Sequence, residues 1–387
     1  MLKTRIGIIG IGGMGSNHAR YIAAGEVPDA VLAAVADVRP ERLEWARANL
    51  PSGVARFSSP EQLIGSGTVD GVLIATQHYD HPPVATKALG AGLHVLTEKP
   101  AGVYTKQVRE MNEAAARSGR TFGIMFNQRT SPLYAQLRDL IQSGELGEIK
   151  RTNWIITTWY RPQSYFDAGG WRATWAGEGG GVLLNQDPHQ LDLWQWLCGM
   201  PSRVRAFCYV GKWHDIEVED DVTAFVEYPN GATGVFVTST ADAPGTNRLE
   251  ITADRGKVVV EDGALAFWRL RVPERQFNRE YKAGFGEPEC WKVELPTPGP
   301  MPGHAGITRD WVAAIRTGSP LLAPGAEGIR SLELSNAMYL SSWLDQWVRL
   351  PIDEELFHGM LQERIRSSTI RKADGGKTLD VGSTFGR

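Results

Sequence analysis

A glycine-rich loop near the start of the chain limits the folds that this sequence can adopt. The loop, Gly10-Ile11-Gly12-Gly13-Met14-Gly15, lies between an apolar run at residues 5–10 and a helical pattern at 15–24. Its glycines permit a tight turn and let the backbone approach a pyrophosphate, which then rests at the helix N-terminus. Asp37 ends the next apolar run, 22 residues after Gly15, where a carboxylate binds both ribose hydroxyls. This spacing predicts dinucleotide binding.

Short apolar runs alternate with helical patterns over the first 128 residues. We predict strands at 5–10, 30–36, 69–76, 94–97 and 121–126, and helices at 15–24, 40–49, from about 82, and at 106–118. This alternation is typical of a doubly wound parallel sheet in an α/β protein. We therefore predict a Rossmann domain at 1–128.

Asp37 also indicates which dinucleotide binds. A carboxylate at this position repels a 2′-phosphate, which favours NAD over NADP. Arg39 and Arg42 follow closely and act in the opposite direction. We predict NAD as the cofactor.

The pattern changes after residue 130. A helix at 133–142 precedes strands at 154–160, 204–209, 222–228, 234–238, 249–253 and 257–260. Asn230-Gly231 predicts a hairpin turn, and Gly256 and Gly263 mark two more, so the sheet is expected to be mostly antiparallel. With helices at 307–317 and 326–347, this predicts a second α/β domain at 129–350. The weakly periodic tail at 351–387 either docks against a partner subunit or frays.

The composition excludes several classes of partner. Lysine and arginine number 41 against 44 acidic residues, so the basic excess that nucleic-acid binding requires is missing. The three cysteines form neither a disulfide framework nor a zinc spacing, which fits the reducing cytoplasm. No apolar run approaches the ~18 residues of a membrane span, and the N-terminus lacks a signal-peptide cleavage site. We predict a cytoplasmic protein that binds neither nucleic acid nor membrane, and no metal, because the histidines show no ligand spacing.

Two segments carry candidate chemistry. Glu98-Lys99-Pro100 ends the predicted strand at 94–97, and in a doubly wound sheet ligands bind at the carboxyl ends of strands. The second segment begins with the triplet Gly179-Gly180-Gly181 and continues to His189 and Asp192. With both segments present, the chain resembles the Gfo/Idh/MocA oxidoreductases, the family of glucose–fructose oxidoreductase and inositol dehydrogenase. The resemblance covers nearly the whole chain, from the glycine loop to the late helices.

The resemblance implies a Rossmann domain followed by an open, mostly antiparallel α/β domain whose sheet often forms oligomer contacts. We therefore expect a homo-oligomer, a dimer or a tetramer. The resemblance also implies oxidation or reduction of a sugar-like alcohol without a metal, with Lys99 orienting the substrate hydroxyl and His189 acting as general base. These residue types suit the chemistry, because hydride leaves a carbinol carbon only as the hydroxyl proton departs, and a nearby ammonium stabilises the developing alkoxide.

Two positions depart from the family pattern. The family often has an aspartate four residues before the histidine, where this chain has Asn185, which binds a hydroxyl but does not titrate. The Thr-Pro pair that commonly follows the fourth strand is Thr76-Gln77 here, which makes Gln77 a less secure cofactor contact.

Asp187 and Asp192 each have two interpretations. Asp187-Pro188-His189-Gln190 is typical of a helix start, with a cap, a proline and a capping-box glutamine. We favour this cap over a second catalytic carboxylate. Asp192, one turn on, either orients the imidazole or packs at the helix edge. The candidate catalytic residues are Lys99, Asn185, Asp187 and His189.

A connection rich in aromatic residues and arginine precedes the histidine segment. Aromatic rings cover the C–H face of a sugar and forked polar groups bind its hydroxyls, which predicts a carbohydrate site, whereas Trp154, Trp194 and Trp196 are expected to pack internally. The arginines leave room for a carboxylate or sulfonate. The predicted substrate residues are Arg129, Tyr160, Arg161, Trp171, Arg172, Asn185 and His189. The predicted cofactor residues are Gly10, Gly12, Gly13, Met14, Gly15, Asp37, Arg39, Thr76, Gln77, His81, Glu98, Lys99 and Asn127.

Two enzyme classes fit these residues. The first is an NAD-dependent dehydrogenase that oxidises a ring hydroxyl, C3 being favoured, of a sugar, glycoside or cyclitol. The second is a redox-neutral NAD-dependent glycosidase, in which C3 is oxidised transiently, the glycosidic group is eliminated, water adds and the hydride returns. Its substrate would include anionic glycosides such as a sulfoquinovoside or a uronide. A non-catalytic NAD sensor is disfavoured, because Lys99 and His189 are both retained.

Overall fold

The glycine loop follows the first strand of a six-stranded parallel sheet. The computed structural model describes residues 2–296 and 299–370. The strands of this first sheet are β1 (Thr4–Ile9), β2 (Ala30–Ala36), β3 (Ala55–Phe57), β4 (Gly71–Ile74), β5 (His94–Thr97) and β6 (Phe122–Ile124). The helices between them are α1 (Gly13–Ala23), α2 (Pro40–Asn49), α3 (Pro60–Ile64), α4 (His81–Gly90) and α5 (Thr105–Ser118).

The strand order β3-β2-β1-β4-β5-β6 confirms the doubly wound topology. All five strand pairs are parallel. Every residue of β4 is buried, because helices cover both faces of such a sheet. The order reverses between β1 and β4, so the connections leave these strands on opposite sides and open a cleft at their carboxyl ends.

A nine-stranded sheet forms the other large layer, in the order β14-β13-β12-β11-β7-β10-β9-β8-β15. Within residues 2–296 and 299–370, only β7 and β10 of this sheet pair in parallel, and its other pairs are antiparallel. Its strands are β7 (Ile149–Ile156), β8 (Arg203–Val210), β9 (Glu219–Glu227), β10 (Thr233–Ser239), β11 (Asn247–Ala253), β12 (Gly256–Glu261), β13 (Ala264–Leu270), β14 (Cys290–Val293) and β15 (Val348–Arg349). The remaining helices are α6 (Pro132–Gln142), α7 (Gln163–Asp167), α8 (Val182–Asn185), α9 (Pro188–Cys198), α10 (Glu274–Glu280), α11 (Gly303–Thr317), α12 (Gly328–Leu344) and α13 (Glu354–Ser367).

The predicted hairpins are confirmed, since β9–β10, β11–β12 and β12–β13 are antiparallel neighbours. Between β12 and β13, Asp262 and Gly263 have φ values of 49° and 73°, as a tight hairpin turn requires. The strand predicted at 154–160 exists, but its predicted bounds are wrong. It begins at 149 and ends at Ile156, which leaves Trp159 in an irregular connection.

The tail contains more structure than its weak periodicity indicates. Helix α13 begins after Asp353, whose carboxylate accepts a hydrogen bond of 2.9 Å from the Leu356 amide. Phe357 and Leu361 are the buried side chains of this helix, and Phe357 stacks on Trp343. The rest of the predicted tail, 371–387, lies outside the described residues.

Helix α12 connects the two sheets. Asn336 accepts a hydrogen bond from the Thr105 amide and donates one to the Val103 carbonyl, both in the Rossmann region. Three residues along, the Tyr339 hydroxyl donates to the buried Glu219 carboxylate of β9 at 2.7 Å. Helix α12 is thus hydrogen-bonded to both layers and holds them together.

Candidate active site

The glycine loop has the shape that a pyrophosphate requires. A Cβ on Gly10, whose φ is +85°, would lie 2.7 Å from the Ala75 carbonyl oxygen, and one on Gly15 would lie 1.8 Å from the Gly10 oxygen. At Gly12, by contrast, a Cβ would meet nothing within 4 Å. The loop is therefore tight against β4 and α1 but open on the side that a dinucleotide would occupy.

Asp37 is fixed beside this loop. Its carboxylate accepts hydrogen bonds from the Ile11 amide at 2.9 Å and the Arg39 amide at 3.0 Å. Arg42 does not face a ribose phosphate, because its Nε donates to the Ile11 carbonyl at 2.7 Å. Arg39 is half-exposed with its Nε 3.7 Å from Asp37. These contacts suit a dinucleotide without a 2′-phosphate.

The structure corrects the assignment of His81 to the cofactor. The ring is buried, and its nitrogens lie 2.7 Å from the Pro100 carbonyl oxygen and 3.1 Å from that of Thr76. Both polar edges are thus used to hold the end of β4 against the turn after Lys99. The Thr76 hydroxyl and the Asn127 side-chain oxygen are buried and have no hydrogen-bond partner among the described residues, so they stay candidates for cofactor contact.

Lys99 lies where β5 ends and its side chain crosses to the second layer. Its Nζ donates to the Asn185 carbonyl at 2.8 Å. Burial lowers the pKa of the Lys99 ammonium; Glu98 opposes this shift, whereas Arg172 and Arg161 reinforce it. The lowered pKa favours exchange of a proton with a bound alcohol.

A buried hydrogen-bond chain holds the turn that carries Lys99, and the sequence analysis missed it. The Glu98 carboxylate accepts from His18 Nε2 at 2.6 Å and from the Lys99 amide at 3.1 Å. His18 Nδ1 is 2.8 Å from the Tyr21 hydroxyl. Although burial raises the pKa of Glu98, the hydrogen bond from His18 lowers it to about 2, so the carboxylate is ionised. His18 follows the glycine loop on α1, which gave no sequence signal beyond its helical position.

His189 begins α9 in the same cleft. It is buried, its ring centroid is 6.4 Å from that of Phe126, and its Nδ1 has no hydrogen-bond partner in the described part of the chain. Burial lowers the pKa of the imidazole well below its usual value, and the Lys99 charge acts in the same direction. A neutral imidazole with an unpartnered nitrogen is able to accept a proton.

The connection before His189 forms one wall of the cleft around Tyr165. The Tyr165 hydroxyl accepts from Arg172 Nη1 at 2.7 Å and from the side-chain amides of Asn185 and Gln186, each at 3.2 Å. The Arg161 and Arg172 guanidinium carbons lie 5.2 and 4.6 Å from the Tyr165 ring centroid. Two cations therefore flank one aromatic ring beside the residue that holds Lys99.

Two other predicted substrate residues, Tyr160 and Trp171, lie outside the hydrogen-bond group around Tyr165. Tyr160 is half-exposed. The Trp171 ring lies edge-on to His78 with centroids 5.4 Å apart, and Arg172 covers its other side at 4.7 Å.

Glu178 is a site residue that the sequence analysis missed. Its carboxylate accepts from the Asn185 side-chain amide and from the Ala173 amide at 2.6 Å. Glu178 is buried directly before the glycine triplet, and that position was its sequence signal. The carboxylate that the family often has at 185 is thus replaced by Asn185 bound to Glu178.

The helix-cap interpretation of Asp187 is wrong in its central feature. Helix α9 does begin at Pro188, but Asp187 has ψ of 5° and its side chain makes no capping hydrogen bond. The chain arrives from α8 already in a helical path, since the Asp187 amide donates to the Val182 carbonyl. Gln190 also fails to close a capping box, because its side-chain oxygen has no partner among the described residues.

Arg129 does not face the substrate, which corrects another prediction. The Arg129 guanidinium is buried and binds the Asp192 carboxylate through Nε at 2.8 Å and Nη2 at 2.6 Å, and Glu327 through Nη1 at 2.6 Å. Asp192 accepts from Arg129 and Gln195, so it neither orients His189 nor merely packs at the helix edge. Trp154 and Trp194 are buried as expected, whereas Trp196 is half-buried beneath Arg129 and Arg138.

No group of three histidine, cysteine or acidic side chains in 2–296 and 299–370 is arranged to hold a metal ion. Within the same residues, no helix is both long and apolar enough to cross a bilayer.

A doubly wound sheet with an open glycine loop, a lysine at a strand end and a neutral histidine opposite defines an NAD-binding oxidoreductase. The chain belongs to the Gfo/Idh/MocA family. Residues 4–126 match the NAD-binding Rossmann fold of that oxidoreductase family, and residues 134–259 match the GFO/IDH/MocA C-terminal domain. These matches confirm the predicted family and cofactor.

Three known proteins illustrate the relationship. The rhizopine catabolism protein MocA of Rhizobium meliloti is 34% identical over 53% of this chain and 61% of its own length, so this chain spans less than two thirds of it. Levoglucosan dehydrogenase of Pseudarthrobacter phenanthrenivorans is 25% identical over 91% of this chain and 99% of its own. The WlbA dehydrogenase of Bordetella pertussis, solved with NADH and UDP-GlcNAcA, superposes with a TM-score of 0.77 at 28% identity, covering 91% of this chain and all of that one.

Proposed function

We propose that the protein is an NAD-dependent dehydrogenase that oxidises a ring hydroxyl, at C3, of a sugar, glycoside or cyclitol. The observation that supports it best is that Lys99, held by the Asn185 carbonyl, lies near enough to His189 for its charge to help lower the pKa of that imidazole, whose Nδ1 has no partner among the described residues. NAD, when bound, accepts the hydride from the carbinol carbon. The residues of the chain bind the alcohol, remove its proton and exclude water.

Two side chains near the reacting hydroxyl act on it in different ways. The His189 imidazole is neutral, so it takes the hydroxyl proton as general base. Lys99 donates to the same oxygen and stabilises its developing negative charge, as a cation in a buried site does most effectively. The Asn185 carbonyl fixes the Lys99 amine, so its position costs little to organise when substrate binds.

The wall around Tyr165 supports a carbohydrate substrate. Aromatic faces and forked donors lie together there, and related proteins are named for levoglucosan and for an inositol. Arg161 and Arg172 beside Lys99 favour an anionic substituent on the sugar. The redox-neutral glycosidase acting on an anionic glycoside is therefore the second candidate.

A panel incubation tests the proposal. Purified protein is mixed with NAD and, separately, with myo-inositol, levoglucosan, glucose, glucuronate and aryl glycosides of glucose and glucuronate. NADH absorbance and aglycon release are followed together. NADH formation from a free sugar or cyclitol supports the dehydrogenase, aglycon release without NADH supports the second candidate, and neither signal contradicts both.

The homo-oligomer and the cytoplasmic location stay predictions. Phe207 and Tyr209 of β8 and Phe225 of β9 are partly exposed on the nine-stranded sheet, at 46%, 47% and 38%. Large apolar side chains grouped on one surface favour burial against another protein, and we propose a second copy of this chain. Size measurement by light scattering tests this, and a monomer would contradict it.

A further inference from the structure

Ala173, in the connection that walls the cleft, has a backbone conformation that alanine rarely adopts. Its φ is 57°, in the left-handed region that the Cβ of any residue but glycine disfavours. The other non-glycine residues with positive φ in 2–296 and 299–370 are Asp262, in a hairpin turn, and Asp345, directly after α12. Ala173 is instead fully buried, with 0% of its surface exposed. Such a conformation persists only where surrounding contacts impose it, and it is most frequent at functional sites.

Hydrogen bonds on both sides of Ala173 hold it in this conformation. Its amide donates to the Glu178 carboxylate at 2.6 Å, and its carbonyl accepts from the Glu217 amide at 3.2 Å. The segment between Ala173 and Glu178 also closes on itself, because the Glu178 amide donates to the Thr174 carbonyl at 2.9 Å. The Glu178 carboxylate thus fixes a turn that the local backbone preference of alanine opposes.

The same carboxylate binds the residue that holds Lys99. Its other oxygen accepts a hydrogen bond from the Asn185 side-chain amide, and the Asn185 backbone carbonyl accepts from Lys99 Nζ at 2.8 Å. The Glu178 backbone carbonyl lies 3.0 Å from His78 Nδ1, in the segment that follows β4. Glu178 is 2% exposed, so water competes little for these bonds. One buried residue therefore joins the wall, the end of α8 and the Rossmann layer.

Arg172, the neighbour of Ala173, extends this group to the aromatic ring of the wall. Its Nη1 donates to the Tyr165 hydroxyl at 2.7 Å and lies 3.9 Å from the Glu178 carboxylate. The Tyr165 hydroxyl also accepts from the Asn185 side-chain amide at 3.2 Å. Because Arg172 precedes Ala173 in the chain, a change of backbone conformation at Ala173 would move the guanidinium away from Tyr165.

We propose that Glu178 is a positioning residue for the reaction in this cleft. Its carboxylate holds the turn at Ala173 and the side chain of Asn185, and through Asn185 it fixes the Lys99 amine. The turn sets the place of Arg172 in the same way. This inference rests on the proposed function, because it gives a residue of the same site a part in that reaction. The carboxylate acts through the groups that it binds, since both of its oxygens are engaged by them.

Chemical labelling of Lys99 tests the inference without a substrate. The full-length protein is treated briefly with limiting acetic anhydride, and acetylation of Lys99 is measured by peptide mass spectrometry. Glu178→Ala removes both hydrogen bonds and releases Asn185, so Lys99 should be acetylated several-fold faster than in wild type. Glu333 of α12 is the matched control, because its carboxylate accepts from the Ile352 amide at 3.1 Å, ahead of α13. Glu333→Ala should therefore leave Lys99 labelling unchanged.

The conservative variant separates geometry from charge. Glutamine at 178 still accepts from the Ala173 amide, and Asn185 can turn its side-chain amide to accept from it, so the bonds survive without the carboxylate charge. Glu178→Gln should therefore stay near wild type in Lys99 labelling. For whichever panel compound reduces NAD fastest, Glu178→Ala should lower kcat on the order of 10-fold to 10²-fold with NAD affinity unchanged, because small displacements of reacting groups are costly. Glu178→Gln should keep most of the wild-type kcat.

An exchange of the two side-chain types tests the bond between residues 178 and 185 directly. Asn185→Asp sets two buried carboxylates against each other, and like charges at this distance disfavour the arrangement. This variant should move both kcat and Lys99 labelling away from the wild-type values. Adding Glu178→Gln restores one carboxylate and one amide, so the double variant should recover most of both. This comparison also decides the matter if Glu178→Ala does not fold.

The outcomes distinguish this inference from the proposed function. Wild-type Lys99 labelling in Glu178→Ala overturns the positioning role, and so does an equal rise in Glu333→Ala. Equal losses of kcat in Glu178→Gln and Glu178→Ala, or no recovery in the double variant, overturn it as well. Failure of the wild type to reduce NAD with any panel compound refutes the dehydrogenase, and the labelling comparison still decides whether Glu178 holds Lys99.

Discussion

Lys99 of the Rossmann sheet donates a hydrogen bond of 2.8 Å to the backbone carbonyl of Asn185, which ends α8 in the second layer. This bond spans 86 positions of sequence and fixes the reactive amine from the substrate side of the cleft. Because the acceptor is a backbone atom, the Asn185 side chain stays available to bind Tyr165 and Glu178. The two layers thus define the catalytic geometry together.

Removing either proton-handling group should abolish most of the turnover. Lys99→Ala and His189→Ala should each retain NAD binding in calorimetry, because neither residue belongs to the glycine loop. Each should lose on the order of 10²-fold or more in kcat. Retention of wild-type kcat by either variant would remove that residue from the mechanism.

Asp37 should determine the cofactor preference. Its carboxylate lies beside the loop; Arg42 binds the Ile11 carbonyl, and half-exposed Arg39 lies 3.7 Å from Asp37. We expect calorimetric titration to give tighter binding of NAD than of NADP, and Asp37→Ala to narrow the difference. Equal affinities in the wild type would show that half-exposed Arg39 governs the site instead.

The buried ion pair of Arg129 should stabilise the fold rather than bind substrate. Burial alone lowers the pKa of Arg129, but its bonds to Asp192 raise it, so the guanidinium stays charged. Arg129→Met leaves Asp192 uncompensated and should lower the free energy of unfolding by about 3–5 kcal/mol. Asp192→Asn combined with Arg129→Met should recover part of that loss. An Arg129→Met protein with unchanged unfolding and a raised KM would restore the original substrate assignment.

Glu219 should make stability depend on pH. Burial raises the pKa of Glu219 to about 7, despite the hydrogen bond from Tyr339, whereas the unfolded chain titrates near 4.5. The folded state therefore holds a proton that the unfolded state has lost, so this contribution is complete below pH 4.5 and disappears as the pH rises through 7. The melting temperature of wild type relative to Glu219→Gln should fall between pH 5 and pH 8. A constant difference across that range would contradict the raised pKa.

The sequence predicts the fold better than it predicts the partners of polar side chains. Strand periodicity and hairpin glycines depend on local spacing, so both sheets were recognisable. Strand β3 was not recognisable, because a three-residue strand at the sheet edge is too short to show a period. The end of β7 was not recognisable either, because the chain leaves the strand in an irregular segment. Arg129 was assigned to the cleft by its strand-end position, but its actual partner is 63 residues away on α9. Asp187 has the sequence context of a cap, and only the approach from α8 shows why it does not act as one.

Counting product against the NAD supplied tests the central claim most directly. The enzyme is incubated in heavy water with a trace of NAD and an excess of an active glycoside, and its early products are examined for deuterium. A dehydrogenase forms no more product than the NAD present, accumulates NADH, and leaves the hydrogen at C2 in place; this is the result that we expect. Many turnovers per NAD, aglycon release without NADH and deuterium at C2 would contradict it and identify the redox-neutral glycosidase.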